Sequence, residues 1–348
     1  MKQFITALLI NLVIGTNLFA QVGGNNSYEF LNLSPSARSS AMGGSLITIH
    51  DGDLSLAYLN PAILNEQMNN RITFHHIFFP AKLNYSQITY SHHFKKLQTT
   101  FAFGLQNMAY GKFSWTNEDR EDLGAFAADD IAVYVSAGRK YDDKYSYGAT
   151  LKSIESVFEF HNSFGIAADI AGMYHDSAAQ FTASLVVKNI GTQIKPYTKG
   201  NLEPLPFEIQ LGISKKLAKA PFRISFVAHT LQQLDIRYND PNEPDEINQL
   251  TDTSTTPKEK KYVFDKVMRH FIIGTEIIFG KNFNVGLGYN HQRRMELAVP
   301  TRRGLSGFSF GFNLRIRKFY FAYSHGVYLQ AFSSNNLTLS LRLNDFLK

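Results

Sequence analysis

GFSFGFNLRIR, residues 307–317, decides the fold. Phe308, Phe310, Phe312, Leu314 and Ile316 share one side of an extended chain. Gly307, Ser309, Gly311, Asn313 and Arg315 share the other. Successive side chains of a strand point to opposite faces, so this is a strand with one wholly apolar face. Its second face of glycine, serine and arginine suits a wet or plugged lumen better than a dry core. The same period recurs along the chain. Leu337, Leu339, Leu341 and Leu343 alternate with Thr338, Ser340, Arg342 and Asn344; Phe283, Val285, Leu287 and Tyr289 alternate with Asn284, Gly286, Gly288 and Asn290. Ile131, Val133, Val135 and Ala137 do so with Ala132, Tyr134, Ser136 and Gly138.

Read this way, the chain predicts strands near 71–79, 83–94, 97–109, 129–140, 144–157, 161–174, 180–190, 206–217, 222–231, 268–280, 282–292, 305–317, 319–328 and 335–346. The connections alternate as well. Lys95-Lys96, Asp142-Asp143, His175–Ser177, Lys219-Ala220, Gly280-Lys281 and Arg317-Lys318 are tight, whereas 110–128, 191–205, 232–267 and 293–304 are long. Short turns at one end and long loops at the other are the pattern of an outer-membrane barrel. A soluble sandwich would alternate too, but would not need this asymmetry. Lipid offers the backbone no hydrogen bonds, so a sheet there must close on itself. The expected fold is therefore all-β: a transmembrane antiparallel β-barrel of about 14 strands, its short turns and both barrel ends in the periplasm.

The rest of the chain fits export to an outer membrane. Lys2 precedes an apolar run, ITALLINLVIG, followed by Thr16-Asn17-Leu18-Phe19 and the small Ala20 before the expected cut. This predicts a signal peptide over 1–20 and a mature chain from Gln21. The formal charge of +6 falls to +5 once Lys2 is gone, and no Lys/Arg block is dense enough to point to nucleic acid. With no cysteine there is neither a disulfide framework nor thiol chemistry. No Gly-x-Ser-x-Gly, Walker-type or zinc-spaced motif appears. Nothing calls for a cofactor, and the chain is not expected to be an enzyme.

Residues 21–70 do not alternate. Asn60-Pro61-Ala62 reads as a capped helical start, Gly43-Gly44 as a tight turn or a close backbone approach, and Asp51-Gly52-Asp53 as a turn. The block has too little apolar mass to fold alone. A fourteen-stranded barrel is too wide to be filled by its own wall. A hatch inside the lumen answers both problems. Its expected residues are Arg38, Gly43, Gly44, Asp51, Asp53, Asn60, Pro61 and Ala62, with 71–348 as the barrel. Asp169, Lys188, Glu276, Arg315 and Arg342 fall on predicted lumenal positions, where they are expected to pair with hatch charges.

GGNNSYEFLNLSPSARSSAMGGSLITIHDGDLSLAYLNPAIL, residues 23–64, resembles the start of the PorV/PorQ proteins of the type IX secretion system. The Tyr-Glu-Phe-Leu-Asn-Leu opening, Ser-Ala-Arg, Gly-Gly and the Asp-Gly-Asp before Asn-Pro-Ala carry the likeness, which is greatest to the PorQ branch. Both branches resemble the FadL class of fourteen-stranded barrels with an N-terminal hatch. The resemblance implies a non-enzymatic outer-membrane protein. Such a protein holds a PorZ-like surface partner in an attachment complex with PorU and PorV, beside outer-membrane lipid or lipopolysaccharide. No elongated apolar path is written in the sequence, so a FadL-like channel for small hydrophobic molecules is the alternative.

Two further readings concern chemistry and partners. His75-His76 and His92-His93 lie on neighbouring strands, but adjacent strand residues face opposite ways, so hydrogen bonding is expected rather than a metal site. For the partner, the expected contacts are Phe113 and Trp115 in loop 110–128, and Arg293, Arg294, Arg302 and Arg303 within 291–304. The polar run 232–267 is a further candidate.

Overall fold

The computed structural model describes residues 26–117, 119, 121–237, 258–280, 282–297, 304–329 and 332–346. The predicted signal peptide, Arg302, Arg303 and most of the 232–267 loop lie outside them. Fourteen antiparallel strands form a closed barrel in which every strand pairs with its neighbours in sequence and β1 closes onto β14. They are β1 (Arg71–Phe78), β2 (Asn84–Phe94), β3 (Thr99–Thr116), β4 (Asp122–Lys140), β5 (Tyr145–Phe158), β6 (His161–Asp176), β7 (Phe181–Lys195), β8 (Glu208–Lys216), β9 (Phe222–Ala228), β10 (Phe271–Phe279), β11 (Phe283–Asn290), β12 (Phe308–Ile316), β13 (Phe319–Leu329) and β14 (Phe332–Arg342).

Alternation sets which side chains meet lipid. On β1, Thr73, His75 and Ile77 are buried while Phe74 and Phe78 are exposed. Phe103, Leu105, Val133, Leu151, Ile170, Leu185 and Phe310 likewise stand on the outside. Such an exposed apolar surface is what hydrocarbon favours and water does not. Among the described residues no helix is long and apolar enough to cross a membrane; the strands do so instead.

At one end the strands are joined by two to five residues, as in 95–98, 177–180 and 317–318. The other end carries 196–207, 229–270 and 291–307, but also the tight links 79–83 and 159–160. The expected asymmetry is therefore present but partial. One predicted loop is mostly strand: β3 and β4 continue to Thr116 and back from Asp122, with Phe113 opposite Phe126. The register shifts at Ala109/Gly111, where Gly111 has a φ of 87°. A bulge there interrupts the alternation, which is why the segment reads as a loop.

The N-terminal block fills the lumen. It consists of helix α1 (Ala37–Ala41) and 3₁₀ turns at Glu29–Asn32, Leu54–Leu56, Pro61–Ile63 and Glu66–Met68. The chain enters at the long-loop end, where Ser27 N–H donates to the Pro204 carbonyl at 3.0 Å. It leaves at the short-turn end, where the His93 N–H donates to Asn69 Oδ1 at 2.9 Å. Along the way it buries Leu31, Leu46, Ile47, Leu56 and Ile63 against wall residues such as Ala102, Tyr134, Val186 and Ile154. The protein core is thus the contact between hatch and wall.

Candidate functional site

Local rules shape the hatch. Asn60 accepts the Ala62 N–H at 2.9 Å and donates to the Ile47 carbonyl, while Pro61 opens the next turn without needing a donor. Asp53 caps the Leu54–Leu56 turn through the Ser55 N–H at 3.1 Å. Gly43 and Gly44 hold φ of 98° and 105°, which side chains resist. A Cβ on Gly43 would lie 2.4 Å from the Ile272 side chain.

The hatch is seated on the wall in two ways. On one side Arg38, buried, grips Glu276 of β10 with two nitrogens, Nε–Oε1 at 2.8 Å and Nη2–Oε2 at 3.0 Å. The same guanidinium meets Asp51 at 2.8 Å and Asp53 at 3.2 Å. Arg223 of β9 adds a contact to Glu276 at 2.8 Å, and the Tyr320 hydroxyl donates to Asp53 at 3.1 Å. Burial alone would raise the Asp51 carboxyl; Arg38 and Arg223 outweigh it and hold it down at about 2. On the other side the Pro61–Ile63 turn lies against Gly138 and Gly148, where an added Cβ would meet the Pro61 carbonyl at 2.4 and 2.5 Å. Ser146 donates to the Ala62 carbonyl at 2.8 Å.

The other predicted lumenal charges behave differently. Asp169 pairs with Lys152 on the adjacent β5 at 2.8 Å, both fully buried, with the ammonium 4.4 Å from the ring centre of hatch Tyr58. Lys188 lies 3.6 Å from Glu208 of β8. These charges are matched within the wall, not by hatch charges, because strand register brings them together first. The four histidines each find a neighbour: His75 bonds Thr338, His76 Ser86, His92 Asn70 and His93 Thr100, at 2.7–2.9 Å.

Above the hatch, at the long-loop end, a cavity of about 610 Å³ opens between Gly44, Ser45, Gln210, His229, Ile272 and Arg293. This volume lies in the range of small-molecule sites, roughly 300–1,000 Å³. Its walls mix polar and apolar groups. Glu208 lies at its edge, between Lys188 and His229, 3.7 Å from the imidazole.

Arg293 and Arg294 sit on helix α2 (His291–Leu297), and both turn back toward the barrel. Arg293 lines the cavity, close enough that a Cβ on Gly44 would lie 2.9 Å from Nη2. Arg294 donates to the Ser306 carbonyl at 3.3 Å and lies 5.8 Å from the Phe308 ring centre. Neither reaches outward as the sequence suggested: a short helix folds this loop inward, a tertiary choice that its charges do not announce. Phe113 and Trp115 do stand at the surface, on the β3–β4 extension and not on a loop. Phe113 stacks on Phe126 and Trp115 meets Phe160 edge-on.

No protein-family model matches the chain, and no curated relative does. Solved structures do match in fold. The toluene transporter TodX of Pseudomonas putida aligns with 92% of this chain and 99% of its own, at a TM-score of 0.52 and 13% identity. This is a FadL-like outer-membrane barrel fold. The CymD monoaromatic hydrocarbon channel and a Pseudomonas aeruginosa FadL homologue align at TM-scores of 0.48 and 0.47, over 90% and 89% of this chain, with 12% and 10% identity. At such identities the likeness concerns architecture, and the lining of the lumen is this chain's own.

Proposed function

We propose that the protein resides in the outer membrane as a component of a type IX secretion system and anchors a PorZ-like surface partner in the attachment complex. The observation that carries this reading is the height of one wall. Strands β3–β7 run 14–19 residues, where about 9–11 suffice to cross a membrane. The excess rises at the long-loop end and presents Phe113, Trp115, Leu123 and Phe160 to solvent. Exposed aromatics on a rigid hairpin are the anchors that protein interfaces favour. The filled lumen supports the same reading, as does the resemblance of residues 23–64. With the long-loop end outside the cell, the rim faces a surface partner, while lipid and lipopolysaccharide surround the barrel.

A direct test replaces 112–125 with a tight Asn-Gly turn and measures retention of the partner in the membrane fraction at matched barrel levels. A standard interface buries roughly 1,200–2,000 Å², so loss of the rim should release most of the partner. Wild-type retention removes the rim from the docking surface. Cysteines at Asp143 and Leu123 should label from opposite sides in intact cells; labelling of both from outside sinks the orientation.

The cavity above the hatch favours a second reading, intake of small hydrophobic molecules on a FadL-like fold. Saturable binding of an aromatic hydrocarbon by the purified barrel, with the partner retained after rim deletion, moves that reading to first place.

A further inference from the structure

We propose that the short-turn mouth of the lumen is a binding site for a phosphate-bearing ligand, gripped by Arg71, Arg315 and Arg342. All three occupy lumenal positions: Arg71 opens β1, Arg342 closes β14, and Arg315 precedes the β12–β13 turn. Arg71 and Arg342 are direct partners in register. Like charges placed opposite one another on paired strands destabilise the pair. Here a third cation joins them, since Arg71 feels the positive charge of both Arg342 and Arg315.

Among the described residues, none pairs directly with this cluster. Asp51 and Asp53 are bound by Arg38 and attract Arg71 without an ion-pair contact, and Glu276 is taken by Arg38 and Arg223. Among the described residues no carboxylate lies within ion-pair distance of Arg71, Arg315 or Arg342. Arg71 and Arg342 both turn a nitrogen to one hatch carbonyl, that of Gln67, at 3.4 and 3.1 Å. That single acceptor leaves most of their ten donors unused. The Nε of Arg71 is buried with no hydrogen-bond partner, an arrangement that normally costs free energy.

Space for a ligand is present. Two cavities of about 190 Å³ each meet at Arg71, Arg315 and Tyr320. One adds Lys216, Arg223 and the amides of Asn282 and Asn313, with Asp51 and Asp53 on the hatch side held by Arg38; the other adds Arg342, Ser340 and Lys318, with Asp345 at its rim. Guanidinium forks match the geometry of phosphate and carboxylate oxygens, and charge-assisted bonds of this kind are about twice as strong as neutral ones. Three clustered guanidiniums call for more than one negative charge, which selects a phosphate over a single carboxylate. A phosphate free in solution and a phospholipid headgroup at the membrane face share this chemistry.

The test uses the full-length barrel in neutral detergent, with inorganic pyrophosphate as the probe at constant ionic strength. Calorimetry should show saturable binding. The R71Q/R342Q variant should weaken it at least about tenfold, and R315Q, whose side chain is exposed and not needed for folding, by roughly threefold. K95Q/K96Q, at a neighbouring turn, should leave it unchanged. Without pyrophosphate, R71Q/R342Q should melt a few degrees above wild type, because repulsion is relieved; with it, the order should reverse. In nanodiscs, loss of pyrophosphate binding in phosphatidylglycerol but not in phosphatidylcholine assigns the site to a lipid headgroup; binding in both assigns it to a soluble phosphate. Absence of saturable binding to wild type overturns the proposal, and so does equal binding by wild type, R315Q and R71Q/R342Q.

Discussion

The hatch meets two unlike walls. Toward β9–β13 it is latched by charge, with Arg38 forked onto Glu276 and tied to Asp51 and Asp53, beside a close approach of Met42 and Gly43 to Gly274 and Gly288. Toward β4–β6 it is held by shape, with the Pro61–Ile63 turn pressed against wall positions that carry no side chain. The walls differ in height as well. The strands touching the shaped seat run 14–19 residues, while β8–β14 run 7–11. An ion-pair seat depends on a few buried groups and fails abruptly when one is removed. A shape seat depends on clearance and yields gradually. The tall wall, built to project beyond the membrane, pairs its own buried charges, Lys152 with Asp169, and the low wall offers Glu276 to the hatch's charged latch.

The largest expected effect comes from breaking the latch. Arg38→Ala leaves Glu276 and Asp53 buried without their main cation. Removing one partner of a buried ion pair typically costs about 3–5 kcal/mol. The purified barrel should unfold at clearly lower temperature, and a protease site placed in the hatch should become accessible. Arg38→Ala melting like wild type would mean the acidic groups find another cation, with Arg223 the nearest. Glu276→Gln keeps the shape, removes one charge and should cost less than Arg38→Ala.

Next comes the shape seat. A Cβ on Gly148 would lie 2.4 Å from the Pro61 carbonyl carbon and 2.7 Å from the Ala62 nitrogen. These are backbone atoms of a capped turn and cannot rotate away. Gly148→Val should cost about 1–3 kcal/mol, as overpacking does. Gly172 lies on the neighbouring β6 with open space around its Cβ position. Gly172→Val should therefore be nearly neutral in the same melting assay. Equal losses at both positions would refute the clearance argument and leave only strand propensity.

Much of this was written in the sequence. The faces of 307–316 and 337–343 give strand period, lipid side and lumen side directly, because alternation is a local property. Asn60-Pro61 likewise carries its own capping chemistry. Pairings that depend on register were not legible: nothing near Asp169 points to Lys152, which reaches it only across the β5–β6 ladder. The β3–β4 extension was missed because a bulge at Gly111 breaks the local period while pairing continues. Arg293 reads as a surface charge, yet α2 turns it inward. The inner mouth shows the same limit, since residues 71, 315 and 342 are far apart in sequence and meet only when the barrel closes.

The smallest expected effect is a dependence on pH, and it separates the two seats without altering any side chain. The Asp51 carboxyl is held at about 2, below its ordinary 3.8, by Arg38 and Arg223 against the opposing effect of burial. A carboxyl whose folded value is depressed stabilises the fold fully above its unfolded value. That contribution fades as pH falls from about 4 toward 2. The shaped seat has no titrating group at Pro61–Ile63 and should be indifferent over this range. The difference in melting temperature between wild type and Asp51→Asn, measured from pH 6 to pH 2.5, should therefore hold steady and then shrink below about pH 4. Asp51→Asn should be less stable than wild type at pH 6 and should flatten the decline toward acid, while Gly148→Val should lower the whole curve without changing its shape. Because the Asp51 side chain is partly open to solvent, the drop should be smaller than the loss from Arg38→Ala. If Asp51→Asn kept the full acid decline, Asp51 would not be the group that sets the acid limit of the fold.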